Sequence, residues 1–283
     1  MPNPEPSDAT SFREFEHRGW LSVASRYHDY FSRLTTQSIP SLLQAVMDDT
    51  PGADATRVVR LLDIATGPGY AAGAAAGRGA WVVGVDFSAT MARMATRHYP
   101  AVQFTVGDGE QLPFAADRFD AAVTNFGLLH LARPERALAE AHRVLRSGGR
   151  VGFTVWAPPE ESVGFGIILR AIEAHGNPAA SLPAGPPFFR FSDPGECRRV
   201  LLEAGFQSPR IDRIPQFWRL RSPEEFFEAM ESATVRTQGL LRAQTSESLE
   251  AIRLFVRDAA REYEKEGGIE LPMPAVLASA VKP

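Results

Sequence analysis

Short apolar segments alternate with helical segments between residues 58 and 156, and this alternation constrains the fold more than any other feature of the chain. The segment Val58–Ile64 is dense enough in apolar residues to be a strand covered on both faces. Tyr70–Gly77 is rich in alanine and favours a helix that presses close to a sheet. Further strands are predicted at Trp81–Val85, Val102–Val106, Phe119–Thr124 and Arg150–Trp156. This pattern predicts an α/β fold with a doubly wound parallel sheet.

The rest of the chain divides by composition into segments around this core. Asp48–Ala55 is predicted to be a linker, Arg210–Leu220 a single strand, and the helix that begins at Pro134 is expected to end at Gly148–Gly149. The expected organisation is a disordered tail at 1–11, an N-terminal helical cap at 12–50, a ligand-binding core at 57–157, a substrate lid at 158–192, a helix and strand completing the sheet at 193–222, a helical insertion at 223–267 and the final strand at 268–283.

Charge and cysteine content exclude several classes of partner. The net charge is −4 with a pI near 5.9, so there is no general basic field to hold nucleic acid or anionic lipid. No apolar run approaches the roughly 18 residues of a membrane span, and the polar, acidic N-terminus is unlike a signal peptide. The single cysteine, Cys197, fits a reducing compartment. We therefore expect a cytoplasmic protein with no nucleic-acid or membrane partner.

Acidic residues follow three successive predicted strands. Asp63 lies in the first strand and is followed by a turn that contains Gly67 and Gly69, Asp86 ends the second strand, and Asp108 follows the third. Ligands of open parallel sheets bind beyond the carboxyl ends of the strands, and glycine lets a ligand approach the backbone. Each acid alone could be an ordinary cap or turn residue. Their joint placement predicts a nucleotide-type site, with Asp86 placed to accept from ribose hydroxyls.

The glycine turn fits two kinds of cofactor. Gly67-x-Gly69-x-x-Ala72 matches the fingerprint of dinucleotide-binding proteins as well. A diphosphate requires free N–H groups and no nearby anion, whereas Asp63 stands on the strand side of this turn. A carboxylate at that position favours a cationic ligand, such as an amino group or a sulfonium, and therefore indicates S-adenosylmethionine (SAM).

A family resemblance rests on five segments of the chain. They are LLDIATGPG (61–69), VVGVDFSATM (82–91), GDGEQLPF (107–114), FDAAVTNFGLLHL (119–131) and RVLRSGGRVGFTVWA (143–157). These segments resemble the class I SAM-dependent methyltransferases of the small-molecule, ubiquinone- and menaquinone-biosynthesis-like type. The resemblance implies a Rossmann-like seven-stranded sheet with an N-terminal helical cap and helical insertions, a SAM-binding core at 57–157, and S-adenosylhomocysteine (SAH) as product. Ala65 replaces the first glycine of the family's usual acid-x-Gly-x-Gly-x-Gly motif, which narrows the backbone freedom of the turn.

The resemblance also implies a role for individual residues in holding the cofactor. It assigns the methionine part to Asp63, Ala65, Gly67 and Gly69, the ribose to Asp86, the adenine to Phe87, Met91, Asp108, Gly109 and Glu110 in the segment opened by Gly107, and the sulfonium end to Asn125 and Phe126. Tyr27, in the N-terminal helix, is the candidate for the methionine carboxylate. Plain packing of Tyr27 and Phe31 on the apolar stripe of that helix is the alternative.

Methyl transfer from a sulfonium is an in-line displacement, so alignment and exclusion of water are the main tasks of the protein. A general base is needed only if the acceptor must lose a proton. His130, after the fourth strand, is the candidate base, and a structural hydrogen bond at a lid or helix end is the alternative role for it. No set of His, Cys and carboxylate residues has ligand-like spacing, so we expect no catalytic metal.

The predicted lid is aromatic, which favours a small organic substrate of apolar or aromatic character. The alternative is that these aromatic residues form the core of the lid itself. The charged helices of 223–266 are solvated faces, and the sequence leaves open whether they also form a homodimer contact. Two other functions stay open: a SAM-binding enzyme that does not transfer methyl, such as a cyclase, and an NAD(P)-dependent oxidoreductase, although the Tyr-x-x-x-Lys spacing of the latter is absent.

Overall fold

A computed structural model describes residues 6–47, 58–177 and 182–283 of the chain. Its strands are β1 (Arg60–Ile64), β2 (Trp81–Asp86), β3 (Gln103–Val106), β4 (Phe119–Asn125), β5 (Leu145–Trp156), β6 (Gln207–Ile214), β7 (Phe217–Leu220), β8 (Glu264–Lys265), β9 (Gly268–Pro272) and β10 (Ala275–Val281). Its α-helices are α1 (Pro6–Thr35), α2 (Ile39–Met47), α3 (Tyr70–Gly77), α4 (Ala89–His98), α5 (Pro134–Val144), α6 (Val163–His175), α7 (Pro194–Glu203), α8 (Pro223–Ser232), α9 (Arg236–Arg242) and α10 (Ser246–Ala260).

The described residues group into two units. The first unit draws on Met1–Leu34, Ala157–Gly185 and Pro215–Pro274, and the second on Thr35–Trp156, Pro186–Ile214 and Ala275–Pro283. The predicted lid at 158–192 is therefore divided at Gly185, and its last residues belong with the core. The reason is packing, since Phe191 is buried against Phe153 of β5 with ring centroids 6.0 Å apart.

The second unit contains a seven-stranded sheet in the order β3-β2-β1-β4-β5-β10-β6. Strands β1 to β5 pair in parallel, and β10 runs antiparallel to both β5 and β6. Leu61 and Leu62 of β1 are fully buried although they point to opposite faces, as expected for a strand with cover on both sides. This arrangement confirms the predicted doubly wound, Rossmann-like sheet.

The strand order reverses next to β1, which pairs with β2 on one side and β4 on the other. The carboxyl ends of β1, β2 and β4, at Ile64, Asp86 and Asn125, consequently lie at one edge of the sheet. Connections to the following helices must leave in opposite directions at such a point, which opens a crevice between them. Of the acids singled out in the sequence, Asp63 lies in β1 and Asp86 ends β2, beside this crevice, whereas Asp108 follows the edge strand β3.

Two helices begin at this edge with different chemistry. Helix α4 is capped by Ser88, whose hydroxyl oxygen accepts from the Met91 N–H at 3.3 Å. Helix α3 follows Gly69, which has a left-handed φ of 85° and no side chain with which to cap the helix. The first turn of α3 therefore depends on other residues for hydrogen-bond partners.

The first unit contains a small antiparallel sheet in the order β7-β9-β8 and an aromatic core. Trp218 of β7 lies 4.5 Å from the ring of Phe31 and 5.7 Å from that of Phe226, measured between centroids. Its indole N–H donates to the Tyr30 carbonyl at 3.0 Å. Trp218 is thus a core residue of this unit, with its only polar group already paired.

Two element boundaries predicted from the sequence differ from the structure. Helix α5 ends at Val144 and not at Gly148–Gly149, because the Gly148 N–H donates to the Lys282 carbonyl and the chain is already in β5. The single strand predicted at Arg210–Leu220 is two strands, β6 and β7, in different sheets. They are separated at Pro215, which has no N–H for a strand ladder.

The C-terminal segment 268–283, in which the sequence predicts a last strand at Ala275–Val281, contains that strand and a second one. Gly268–Pro272 is β9 of the small sheet, and only Ala275–Val281 joins the large one. At the N-terminus, helix α1 begins at Pro6, inside the tail predicted at 1–11, whereas residues 1–5 lie outside the described part. The predicted linker Asp48–Ala55 also lies outside the described residues.

None of the helices among residues 6–47, 58–177 and 182–283 combines the length and the apolar composition required to cross a bilayer. No group of three or more His, Cys, Asp or Glu side chains in those same ranges is arranged to hold a metal ion.

Close packing of α3 against Tyr99 yields a matched pair of substitutions. A Cβ at Gly73 would lie 2.1 Å from Tyr99 Cε1, whereas a Cβ at Gly77, in the same helix, would meet nothing within 4 Å. We expect Gly73→Ala to lower the free energy of unfolding by about 1–3 kcal/mol through overpacking. Gly77→Ala should raise it by up to about 1 kcal/mol through helix propensity. Urea unfolding measures both, and equal effects would contradict the packing.

Candidate functional site

The turn after β1 contains two glycines with different surroundings. Gly67 has a φ of 54°, and a Cβ built there would meet no atom within 4 Å. Gly69 has a φ of 85°, and its Cβ would lie 2.9 Å from Phe104 Cζ and 3.0 Å from Ala95 Cβ. The backbone of Gly67 is therefore open to a ligand, whereas Gly69 is required for close packing. Contact of the Gly67 and Gly69 backbones with the methionine part of the cofactor stays a prediction.

Ala65, which stands where the related motif has glycine, adopts a left-handed φ of 53°. This conformation costs a residue with a Cβ about 1–2 kcal/mol. Gly127, after β4, makes the conformation possible, because a Cβ at Gly127 would lie 2.6 Å from Ala65 Cβ and 2.5 Å from Thr124 Oγ1. The methyl group of Ala65 occupies the space that a side chain at Gly127 would need.

The Asp63 carboxylate stabilises this turn by accepting two hydrogen bonds. Its Oδ2 atom accepts from the Thr66 hydroxyl at 2.7 Å and from the Ala72 N–H at 3.0 Å. The second bond satisfies an N–H in the first turn of α3, which has no cap side chain of its own. Burial, reinforced by the charge of Asp86, raises the pKa of Asp63 to about 7 even though both hydrogen bonds oppose the rise.

Asp86, at the end of β2, ties the turn to the start of α4. Its Oδ2 accepts from the Gly67 N–H at 2.8 Å and its Oδ1 from the Ser88 N–H at 2.8 Å. Burial raises its pKa to about 6, while these two bonds act in the opposite direction. A carboxylate accepts about four hydrogen bonds in all, so each oxygen retains capacity for a further donor, as binding of two ribose hydroxyls requires.

The segment after β3 is held by its own carboxylates. Asp108 Oδ1 accepts from the Glu110 N–H at 2.9 Å, and the Gly107 N–H donates to the Asp86 carbonyl at 2.9 Å. The buried Glu110 carboxylate accepts from the Arg133 N–H at 2.9 Å and pairs with Arg133 Nε at 3.1 Å. The side chain of Glu110 is thus paired with Arg133, and the contact of this segment with the adenine stays a prediction.

The sequence did not indicate the network around Asn125. Asn125 Oδ1 accepts from the Ser38 hydroxyl at 2.8 Å and from the Thr154 hydroxyl at 2.6 Å, and its Nδ2 donates to the Thr35 carbonyl at 2.9 Å. These bonds brace the end of β4, and the position of Asn125 at the sulfonium end of the cofactor stays a prediction. Only tertiary structure brings the partners together, since they are distant in sequence. By contrast, the Asp63-x-x-Thr66 spacing is a local sequence signal from which the hydrogen bond between the Thr66 hydroxyl and the Asp63 carboxylate could have been predicted.

Phe126 and Thr124 flank Asn125 and form different surfaces. Phe126 has a φ of 56°, and its ring stacks on Trp156 with centroids 4.0 Å apart. Thr124 Oγ1 is buried without a hydrogen-bond partner among the described residues. The end of β4 therefore presents an apolar wall and, beside Gly127, one unsatisfied hydroxyl.

The remaining candidates lie on three elements. Phe87 is half-buried and Met91 is buried, in the segment that opens α4. Tyr27, in the first unit, stacks on Phe31 at 5.5 Å and meets Trp20 edge-on at 5.1 Å. Their contacts with adenine and with the methionine carboxylate stay predictions.

His130 ends a short 3-10 turn, Leu128–His130, after β4. Its ring meets Phe188 edge-on, with centroids 6.0 Å apart, so it adjoins the aromatic part of the predicted lid that belongs to the second unit. This places His130 beside a candidate substrate surface, and its role as a base stays a prediction.

Comparison with known proteins agrees with this geometry. Residues 62–153 match the family model described as a methyltransferase domain. The chain is 36% identical over 129 residues to a demethylmenaquinone methyltransferase of Renibacterium salmoninarum, in a match that covers 44% of this chain and 54% of that protein. The chain therefore spans about half the length of this curated relative.

Two solved structures show the fold. Phosphoethanolamine N-methyltransferase 2 of Haemonchus contortus in complex with SAM has a TM-score of 0.56 at 18% identity, and the match covers 96% of this chain and 60% of that one. The [4+2]-cyclase SpnF has a TM-score of 0.54 at 18% identity, and the match covers 100% of this chain and 99% of that one. The same fold thus occurs in proteins named for different reactions.

The match identifies residues 62–153, within the second unit, as similar to a methyltransferase domain. The curated relative described above is, by its name, a methyltransferase of demethylmenaquinone. The Haemonchus contortus structure described above, which shares the fold, is a complex with the cofactor S-adenosyl-L-methionine. The residues present fit this cofactor, because the open Gly67 admits it and two buried acids with raised pKa values favour a cation.

The contact between Ala65 and Gly127 can be tested by exchanging their side chains. Ala65→Gly should raise the free energy of unfolding by about 0.5–1 kcal/mol, because glycine tolerates the left-handed φ. Gly127→Ala should lower it by about 1–3 kcal/mol. In the double variant the clash with Ala65 is gone and only the Thr124 contact remains, so part of that loss should be recovered. Strictly additive effects in chemical denaturation would show that the two positions do not interact.

Proposed function

We propose that this protein transfers the methyl group of SAM to a small organic acceptor with an apolar or aromatic body. The observation that carries the proposal is the pair of buried carboxylates, Asp63 and Asp86, hydrogen-bonded to either side of the turn that contains the open Gly67. The match of residues 62–153 to the methyltransferase domain family supports the same reading.

Electrostatics explains why this pair favours a sulfonium cofactor. Burial raises the pKa of both acids, and the charge of Asp86 raises the pKa of Asp63 further, so both ionise at a cost. A positive charge nearby reverses that balance, because it stabilises both carboxylates in a poorly solvated region. A diphosphate would add negative charge instead, which argues against an NAD(P)-dependent oxidoreductase.

The chemistry required of the chain itself is modest. When bound, SAM supplies an electrophilic methyl group on a positively charged sulfur. Asp86 would orient the ribose, the Gly67 backbone would let the cofactor approach, and the stacked Phe126 and Trp156 would exclude water at the end of β4. His130 would accept the proton of an acceptor hydroxyl.

The aromatic residues of the predicted lid that are not part of its buried core support an aromatic acceptor. Phe191 and Phe165 are buried, so they serve packing, as the alternative reading of the lid allowed. Phe188 and Phe189 are only half-buried and contact each other edge-on at 5.0 Å, and Phe188 adjoins His130. Since the curated relatives are named for demethylmenaquinone, we propose a naphthoquinol-type acceptor for this chain.

The competing functions can be distinguished by the product that each forms and the cofactor that each binds. A SAM-binding cyclase would bind SAM and leave the acceptor without an added methyl group, whereas an oxidoreductase would respond to NAD(P). We expect thermal stabilisation by SAM and SAH but not by NAD, and a gain of one methyl group on a reduced short-chain demethylmenaquinol by mass spectrometry. Stabilisation by NAD alone, or SAM binding with no methylated product across a broad acceptor library, would refute the proposal.

The titration of the two acids predicts a pH dependence of SAM binding. Because both carboxyls lose their protons as the pH rises through about 6 and about 7, the affinity for cationic SAM should increase between pH 5 and pH 8. SAH has no charge on its sulfur and should show a weaker dependence. Asp86→Asn should remove the part of the rise in SAM affinity that occurs near pH 6. Calorimetry measures these slopes, and identical slopes for SAM and SAH would contradict the electrostatic argument.

The same raised pKa values make the free protein lose stability as the pH rises. Each of the two carboxyls binds its proton more tightly in the folded protein than in the unfolded chain, where its pKa is near 3.8. The stabilisation that results is therefore fully present below pH 3.8. It is lost as the pH passes through about 6 for Asp86 and about 7 for Asp63.

Replacement of His130 tests the proton acceptor. We expect His130→Gln to reduce kcat about 10²- to 10⁴-fold on a hydroxyl-bearing acceptor, without change in SAM affinity. His175→Gln, on α6 of the first unit, is the matched control and should leave kcat unchanged. An unchanged kcat for His130→Gln would show that the acceptor needs no base from this residue.

A further inference from the structure

A groove of about 720 Å³ lies at the amino-terminal ends of β1 and β2, within the second unit. Its lining includes Arg60 and Trp81, which are the first residues of these strands, and Phe114 and Arg118 from the segment before β4. Because β1 and β2 run parallel, their starts lie at the edge of the sheet opposite to Asp86 and the cofactor turn. The groove is therefore separate from the candidate cofactor site.

Strand alternation shows which face of the sheet carries the groove. A Cβ at Gly69 would meet both the Phe104 ring and Ala95 of α4, and a Cβ at Gly84 of β2 would lie 2.5 Å from Phe104 Cδ1. Position 84 thus faces α4. Trp81 stands three positions earlier in β2, so its side chain points to the opposite face of the sheet. The indole is accessible there, with an exposed fraction of 40%.

Aromatic rings form one wall of the groove. The Trp81 and Phe119 rings are close to parallel, with centroids 6.3 Å apart, and Phe114 meets Phe119 edge-on at 5.2 Å. The Arg60 guanidinium lies over the Trp81 ring, 5.1 Å from its centroid. This cation–π contact holds the guanidinium in place beside an exposed aromatic surface, so a ligand would find both groups already positioned.

The charge of the groove is not balanced by its surroundings. Its lining contains two arginines, Arg60 and Arg118, and no acidic residue, although the chain carries a net charge of −4. No carboxylate of the described residues pairs with either guanidinium. The acids nearest in sequence have other partners, since Asp120 accepts from the Arg60 N–H at 2.8 Å and pairs with Arg146, and Asp117 pairs with the lysine that follows β10.

We infer that this groove is a second binding site, which takes a small planar aromatic molecule that carries a carboxylate. The ring system packs on Trp81 and Phe114, and the carboxylate accepts hydrogen bonds from Arg60 and Arg118. The planar fork of a guanidinium matches a carboxylate, and such charge-assisted bonds are stronger than neutral ones. The volume lies in the range of small-molecule sites, roughly 300–1,000 Å³.

The experiment compares 2-naphthoate with 2-naphthamide, which share their ring system and shape and differ in charge. Calorimetry at neutral pH, with and without SAH, measures both affinities. We expect the wild-type protein to bind the carboxylate at least about tenfold more tightly than the amide. Arg60→Gln and Arg118→Gln should each weaken naphthoate binding at least about fivefold, and the double variant should bind naphthoate no more tightly than naphthamide. SAH should leave these values unchanged.

Arg97→Gln is the matched control, because it removes the same charge from an exposed position on α4, which covers the opposite face of the sheet. It should change neither affinity by more than about twofold. Neither groove arginine has an ion pair to lose among the described residues, so Arg60→Gln and Arg118→Gln should also unfold near the wild-type temperature.

Tryptophan fluorescence locates the bound probe. Trp81 is largely exposed, whereas Trp20, Trp156 and Trp218 are buried. Naphthoate should therefore change the emission of the wild-type protein, and Trp81→Phe should remove most of that change. A signal that persists in Trp81→Phe would place the probe elsewhere.

Four results would each overturn the inference. They are absence of naphthoate binding at millimolar concentration, equal affinity for naphthoate and naphthamide, an undiminished preference for naphthoate in the double variant, and displacement of naphthoate by a short-chain demethylmenaquinol. The inference does not rest on the proposed function. Failure of the wild-type protein to bind SAM would refute the proposed function and leave the comparison of the two naphthalene probes valid.

Discussion

Two buried carboxylates hold the turn between β1 and α3 in the shape that the site requires. Asp63 binds the turn through Thr66 and the start of α3 through Ala72, and Asp86 binds the Gly67 N–H. Both acids are costly to bury when charged, which is why a cation completes the arrangement. The same bonds that position the backbone thus also select the charge of the ligand.

The segments that follow β1 and β4 compete for the same space, so a Cβ at residue 65 excludes one at residue 127. Ala65 occupies a conformation normally left to glycine, and Gly127 of the neighbouring segment leaves room for its methyl group. The motif position at residue 65 thus carries a Cβ, and the position that must lack one is Gly127, after β4. The departure of this chain from the usual motif is therefore compensated within the fold, and the Gly67 backbone remains open.

Sequence patterns predicted the parts of the site whose partners are close along the chain. The strand ends, the Ser88 cap and the left-handed glycines follow from local chemistry. Roles that depend on distant partners could not be inferred. Glu110 is paired with Arg133, and Asn125 with Ser38, Thr154 and Thr35, because the fold brings these groups together at the crevice.

The sequence by itself determined the doubly wound sheet, its order of elements and the acids at three strand ends, since apolar periodicity and turn chemistry act over a few residues. Only the tertiary structure decided that Gly69 serves packing while Gly67 stays open, that residues 157–274 divide between two units, and that Arg60 and Arg118 line one groove. The reason is that burial and pairing depend on which segments meet in space, and adjacent residues carry no record of those contacts.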